Sequence, residues 1–171
     1  MVSTDKKANL LSAREKIDKA AAEGARIVTL PECFQSPYAT DQFEEYSEEI
    51  PSNLSTCNET DHPSMYMLRK AAIENEIYLI GGSVPERDGK KIFNTSVVVD
   101  PKGEMIAKHR KVHLFDIDVK GGQRFKESDT LSAGDSMTSF VAKVSDSVSV
   151  KIGLAICYDI RFPEMLQLMR Q

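Results

Sequence analysis

Near the N-terminus the apolar positions recur at helical spacing. Leu10, Ala13, Ile17, Ala20 and Ala21 fall three or four residues apart, which predicts a helix with one buried face. Ser3, Thr4 or Asp5 can cap its start. Gly24 supplies the left-handed residue that ends such helices. The pattern then changes period. Arg26-Ile27-Val28-Thr29-Leu30 is short and β-branched, which predicts a buried strand. Pro31 ends it, because proline cannot donate to a ladder. A helix, a glycine, a buried strand and then a polar residue at the strand's C-terminal end form an α/β pattern, and ligand sites often lie at such strand ends.

The stretch from Ser36 to Asp61 is polar, carries Pro37, Pro51 and an acidic run from Asp41 to Glu49, and predicts a loop with one short helical turn. A second helix is expected over Pro63 to Glu76, with Leu68, Ala71, Ala72 and Ile73 inward. Ile77-Tyr78-Leu79-Ile80 reads as another buried strand running into Gly81-Gly82, where glycine permits close backbone approach. Ile92 to Val99 and Glu104 to Lys111 pair as a hairpin around Asp100-Pro101-Lys102-Gly103. Proline pre-sets that turn and glycine accepts positive φ. Val112 to Asp118 leads into a loop at Gly121-Gly122. A last pair, Thr138 to Val144 and Val148 to Ile156, flanks Ser145-Asp146-Ser147. Pro163, in Phe162-Pro163-Glu164, opens a final helix from its first turn.

With 171 residues and 41% hydrophobic content, the chain can build one core and one domain. Lysine and arginine number 22 against 26 acidic residues, a net charge of -4. That balance argues against nucleic acid and anionic membrane as partners. No apolar run reaches membrane-spanning length, and Met1 to Lys7 contains no apolar signal core. Cys33, Cys57 and Cys157 are too few and too scattered for a disulfide framework. They suit a reducing compartment, so a cytoplasmic setting is expected, with a mitochondrial one as the alternative. His62, His109 and His113 make no ligand-spaced cluster with the cysteines, so a zinc site is not expected.

Glu32, Lys111 and Cys157 each follow a predicted strand directly. Residues at the same end of neighbouring strands can converge although distant in sequence. A thiol attacks an amide carbonyl as thiolate, which a nearby ammonium and a helix N-terminus favour. A carboxylate can take the thiol proton and return it to the leaving amine. Lys111 and the backbone N–H of Tyr158 could hold the oxyanion, where one good donor lowers the barrier by ~3–4 kcal/mol. Each residue alone also has a plain reading. A cysteine ending an apolar strand is most often packing, Glu32 could cap a helix, and Lys111 and Glu127 could be ordinary solvated charges.

Three blocks distinguish the set. Leu30-Pro31-Glu32-Cys33-Phe34, Lys108-His109-Arg110-Lys111-Val112-His113-Leu114-Phe115-Asp116 and Gly153-Leu154-Ala155-Ile156-Cys157-Tyr158-Asp159-Ile160-Arg161-Phe162-Pro163-Glu164 resemble, in order and spacing, the signature blocks of the nitrilase superfamily of carbon–nitrogen hydrolases. Ser36-Pro37-Tyr38, Gly81 to Arg87, Phe115 to Asp118 and Glu127 to Asp135 resemble its omega-amidase branch. The resemblance implies an α-β-β-α sandwich, with Glu32 as general base, Lys111 as oxyanion stabiliser, Cys157 as acylated nucleophile and Glu127 orienting the lysine. It implies hydrolysis of small amides through a thioester, on dicarboxylate monoamides such as alpha-ketoglutaramate or succinamate. No cofactor is implied, and the parent is expected to be a homodimer.

Set against that fold, residues 1–171 read as one incomplete domain. The family's first strand would precede the chain, and its later strands and helices would follow the nucleophile helix. Two alternatives stay open here. One is an inactive fragment or partner-binding remnant. The other is the same fold acting on a different amide, a carbamoyl group or a nitrile.

Overall fold

The computed structural model describes residues 2–170. Helix α1 spans Lys6–Ala22, and the Asp5 side chain caps it by accepting the Ala8 N–H at 3.0 Å. Gly24 follows at φ 96°, the left-handed stop expected there. Strand β1 is Ile27–Thr29, shorter at both ends than the apolar run suggests. The polar stretch after it holds two short turns rather than one: helix α2, Phe43–Tyr46, and a 3₁₀ turn at Leu54–Thr56. Helix α3, Pro63–Asn75, starts on its proline and ends on Glu76 in the left-handed region.

Strands β2 (Tyr78–Ile80), β3 (Val84–Asp88), β4 (Lys91–Val99) and β5 (Met105–Arg110) complete a five-stranded mixed sheet with β1. β1 and β2 run parallel, while β4 lies antiparallel to β2, β3 and β5. The β4–β5 turn closes as expected, with Gly103 at φ 82° donating its N–H to the Asp100 carbonyl at 2.9 Å. Strand β3 is the element the pattern hides. It carries Pro85, which argues against a central strand, and the sheet tolerates it at an edge. Among the described residues only the isolated bridge between Glu48 and Glu86 flanks its other side.

Alternation along β4 assigns its two faces. Val97 and Val99 pack with Leu10, Ile17, Met65 and Leu68 under α1 and α3. Val98 points the other way, into a second core with Phe140, Ala142 and Leu154. Those residues belong to the hairpin of β8 (Thr138–Lys143) and β9 (Ser149–Leu154). Helix α4, Pro163–Arg170, lies over the outer side of β9, where a Cβ on Gly153 would come 3.1 Å from Met169 Sδ. The layers are therefore helix, sheet, hairpin and helix, the α/β sandwich that the sequence motifs imply. A small hairpin of β6 (Asp116–Asp118) and β7 (Arg124–Lys126), absent from the sequence expectation, stands beside the end of β5. Among the described residues no helix is long and apolar enough to cross a membrane.

Candidate active site

Glu32 lies three residues past β1, on a turn braced by the residues after β2. Ser83 donates its N–H to the Pro31 carbonyl at 3.3 Å, and its Oγ accepts the Cys33 N–H at 3.0 Å. Gly82 makes that approach possible. It sits at φ 56°, and a Cβ there would fall 2.1 Å from the Pro31 oxygen. Alanine at 82 would therefore combine a left-handed backbone with a steric overlap against main chain. We expect Gly82→Ala to destabilise the fold by about 2–3 kcal/mol and to slow turnover by at least about tenfold, because the turn that shifts carries Glu32. Urea unfolding and steady-state rates measure the two effects.

Lys111 continues β5 by one residue. Its N–H reaches the Asn94 carbonyl at 2.8 Å, and its own carbonyl accepts the Gly134 N–H at 2.8 Å. The side chain is 0% exposed. Its Nζ donates to Glu32 Oε1 at 2.8 Å and to Glu127 Oε1 at 3.0 Å. Glu127 is also 0% exposed and lies in a 3₁₀ turn, Glu127–Asp129, directly after β7. Its Oε1 accepts the Tyr38 hydroxyl at 2.8 Å and its Oε2 the Phe115 N–H at 2.6 Å. Glu32 Oε1 accepts a second donor, Asn94 Nδ2, at 2.8 Å. One ammonium thus joins two carboxylates, of which Glu127 is enclosed and Glu32 keeps a side to solvent. Burial alone would lower the Lys111 pKa, but the hydrogen bonds and charges of Glu32 and Glu127 outweigh it and raise it.

Cys157 is exposed and opens a 3₁₀ turn, Cys157–Arg161, between β9 and α4. Its φ is 47°, left-handed for a residue with a side chain, a conformation that costs of order 1–2 kcal/mol. Its thiol is pushed up, first by desolvation and then by the charge and hydrogen bond of Glu32, while Lys111 pulls weakly the other way. The ammonium expected to favour the thiolate is present in Lys111, but desolvation and Glu32 outweigh it and shift the thiol the other way. Helix α4 begins six residues later, separated by the 3₁₀ turn.

Around this centre stands an aromatic wall. Phe125 lies 5.2 Å from Tyr38 between ring centroids, and Phe115 lies 5.2 Å from Tyr158. Tyr158, singled out for its backbone N–H, also packs edge-on to Phe162 at 5.6 Å. Cys33 adjoins the site but is buried against Phe43, Ile92 and Leu131. Desolvation and the Glu32 charge push its thiol up to about 12, so it is inert as a nucleophile.

Sequence reasoning missed Asn94, Tyr38 and Asp159. Asp159 is fully buried and takes four contacts: the His113 N–H at 2.8 Å, His113 Nδ1 at 2.9 Å, the Ile156 N–H at 3.0 Å and His109 Nε2 at 3.2 Å. The two histidines that make no metal cluster therefore converge on a carboxylate. Among the described residues no three His, Cys, Asp or Glu side chains form a metal-ligand group. The available signal was a charged residue two past Cys157, set between Tyr158 and Ile160. Burial alone would raise the Asp159 pKa, but the hydrogen bonds from His109, Ile156 and His113 hold it at about 2, below its ordinary 3.8. Because the folded value lies below the unfolded one, this stability is complete above pH ~4 and disappears as pH falls toward 2. The difference corresponds to about 2 kcal/mol. Urea midpoints at pH 5 and pH 2.5 should show that loss in the native chain, with Asp159→Asn lacking this component.

A carbon-nitrogen hydrolase family model matches residues 1–171. Omega-amidase NIT2-A of Xenopus laevis is 49% identical over 168 residues, covering 98% of this chain and 55% of that protein. Omega-amidase NIT2 of Mus musculus is 48% identical over 170 residues, covering 99% and 56%. Among solved structures, Saccharomyces cerevisiae Nit3, a member of branch 10 of the nitrilase superfamily, superposes with a TM-score of 0.79 at 42% identity, over 98% of this chain and 56% of that one. The chain spans about half the length of the curated relatives it matches.

Proposed function

This chain belongs to the carbon–nitrogen hydrolase family, and from that premise we propose that it cleaves the terminal amide of a short dicarboxylate monoamide through a cysteine thioester. The observation that carries the reading is Lys111 Nζ held between Glu32 and Glu127, with the Cys157 thiol perturbed by the adjoining Glu32. In this reading Glu32 takes the thiol proton as sulfur attacks the amide carbon. Lys111 and the Tyr158 N–H stabilise the oxyanion. Glu32 then protonates the amide nitrogen, which leaves as ammonia. A water, deprotonated by Glu32, attacks the thioester and releases the carboxylate, returning the proton to the thiol. Glu127, pinned by Tyr38 and Phe115, keeps the lysine aimed. The choice of dicarboxylate monoamides is supported by the relatives from Xenopus laevis and Mus musculus, both named omega-amidases.

The same reading places residues 1–171 in one hydrolase domain and a homodimer around the parent protein. It places the protein in the cytoplasm or mitochondria, where three free cysteines stay reduced. The test is ammonia release from succinamate and alpha-ketoglutaramate, with a simple nitrile and a carbamoyl compound as comparisons. Rapid acid quench and mass spectrometry should find a succinyl adduct on the peptide bearing Cys157. Turnover without any adduct there, or turnover confined to the nitrile, would sink the proposal.

A further inference from the structure

Asp159 is deeply buried beside the site, yet the proposed reaction assigns it no step. Its contacts all fall on the two elements that must stay in register. Through Oδ2 it accepts the N–H of Ile156, the residue just before the nucleophile, at 3.0 Å, and it meets His109 Nε2 at 3.2 Å. Through Oδ1 it accepts the N–H of His113 at 2.8 Å and meets His113 Nδ1 at 2.9 Å. His109 and His113 lie two residues either side of Lys111. One carboxylate therefore ties the start of the nucleophile's turn to both flanks of the oxyanion lysine. The turn also closes through Asp159's own backbone. Its N–H donates to the Ile156 carbonyl at 3.1 Å, and its carbonyl accepts the Phe162 N–H at 3.1 Å.

Independently, Cys157 occupies the left-handed region at φ 47°. A side-chain-bearing residue stays there only where its surroundings over-determine it. An ionised carboxylate is acceptor-only, with room for four donors, and here four donors surround it. Among the described residues His109 Nδ1 is buried without a partner, so the ring's hydrogen bonding falls on Nε2 and Asp159.

We propose that Asp159, held between His109 and His113, is the positioning residue that fixes Cys157 in its left-handed turn at the correct distance from Glu32 and Lys111. This rests on Cys157 being the nucleophile. Asparagine at 159 would replace one acceptor oxygen with an NH₂ that faces donors, breaking at least one tie. Leucine at 109 removes one donor, whereas glutamine at 109 presents an N–H near the place of Nε2.

The experiment compares Asp159→Asn, His109→Leu and His109→Gln for succinamate kinetics and for the pH dependence of Cys157 labelling by iodoacetamide, read on its own peptide. A reacting atom displaced by about an ångström costs on the order of 10²-fold in rate. We expect that fall in kcat for D159N, at least a tenfold fall for H109L, a KM within about twofold for both, and near-native kcat for H109Q. The groups facing the thiol are Glu32, Lys111, Glu127 and Tyr38. Displacement from Glu32 should move the labelling midpoint to lower pH, toward an ordinary thiol, in D159N and H109L. A folded H109L with native kcat and an unmoved midpoint would overturn the proposal, as would H109L and H109Q behaving alike. If D159N does not fold, the His109 pair decides. Should Cys157 not be the nucleophile, Cys157→Ala would keep turnover while the labelling shift persisted, so the two failures are distinct.

Discussion

Lys111→Met should lower the stability of the fold by about 3 kcal/mol at neutral pH and slow turnover by at least about 10³-fold. Methionine matches the length of the lysine stem and keeps its apolar contacts, so the substitution isolates the charge. In the native chain the ammonium is 0% exposed and lies 2.8 Å from Glu32 and 3.0 Å from Glu127. Removing it leaves two carboxylates facing one another. Glu127 has no access to water, although it keeps Tyr38 and the Phe115 N–H. Glu32 retains 19% side-chain exposure and can partly recover its solvation. Breaking one side of a buried ion pair typically costs about 3–5 kcal/mol, and the partial access of Glu32 sets the expectation at the lower end.

The pH dependence gives that prediction a sign. Lys111 is held above its ordinary 10.5 by Glu32 and Glu127, against the opposing pull of burial. The stability it contributes is therefore complete below about pH 10.5 and declines as pH rises through the higher folded value. In the variant, a carboxylate left unpaired in a dry site takes up a proton more readily. The gap between the two proteins should therefore narrow toward pH 4. Loss of the oxyanion donor alone accounts for about 10²–10³ in rate, and misplacement of Glu32 adds the rest. Urea denaturation at pH 4 and 7, with ammonia release at pH 7, reads both effects. An unchanged urea midpoint at pH 7 would contradict the buried geometry of the lysine.

Cys157→Ala should abolish amide hydrolysis, a loss on the order of 10⁴-fold or more, while changing stability by less than about 0.5 kcal/mol. The reason for the second half is that Cys157 is exposed and its thiol contributes little packing. Glycine at the same position should be more stable than alanine by up to about 1 kcal/mol, since only glycine adopts φ near 47° without steric cost. The most stable residue at 157 is thus one that cannot do the chemistry, the pattern expected where strain is retained for function. Calorimetry of the three proteins ranks them. A native protein more stable than Cys157→Gly would mean that the turn is unstrained.

Helix boundaries and buried strands were legible because they depend on local periodicity and caps. α1 stops where Gly24 allows left-handed backbone, and the Asp100–Gly103 turn closes as its proline and glycine direct, whereas α3 ends on Glu76 in that region with no such residue to signal it. β3 was hidden by Pro85, and the β6–β7 hairpin by three-residue strands too short to show alternation, although each pairs with its neighbour in the chain. Glu32, Lys111 and Cys157 were legible as residue types at strand ends within recognisable blocks, and Glu127 only through the resemblance. The sequence alone determined which side chains carry the candidate chemistry. Tertiary structure decided their surroundings and their supports, because both depend on burial and on contacts across 16 to 79 residues of chain. Only folding brings Asn94 to Glu32, Tyr38 to Glu127, and Asp159 to the two histidines flanking Lys111. Only folding, too, desolvates the Cys157 thiol and sets it against Glu32 from the turn after β1, and both push its pKa up.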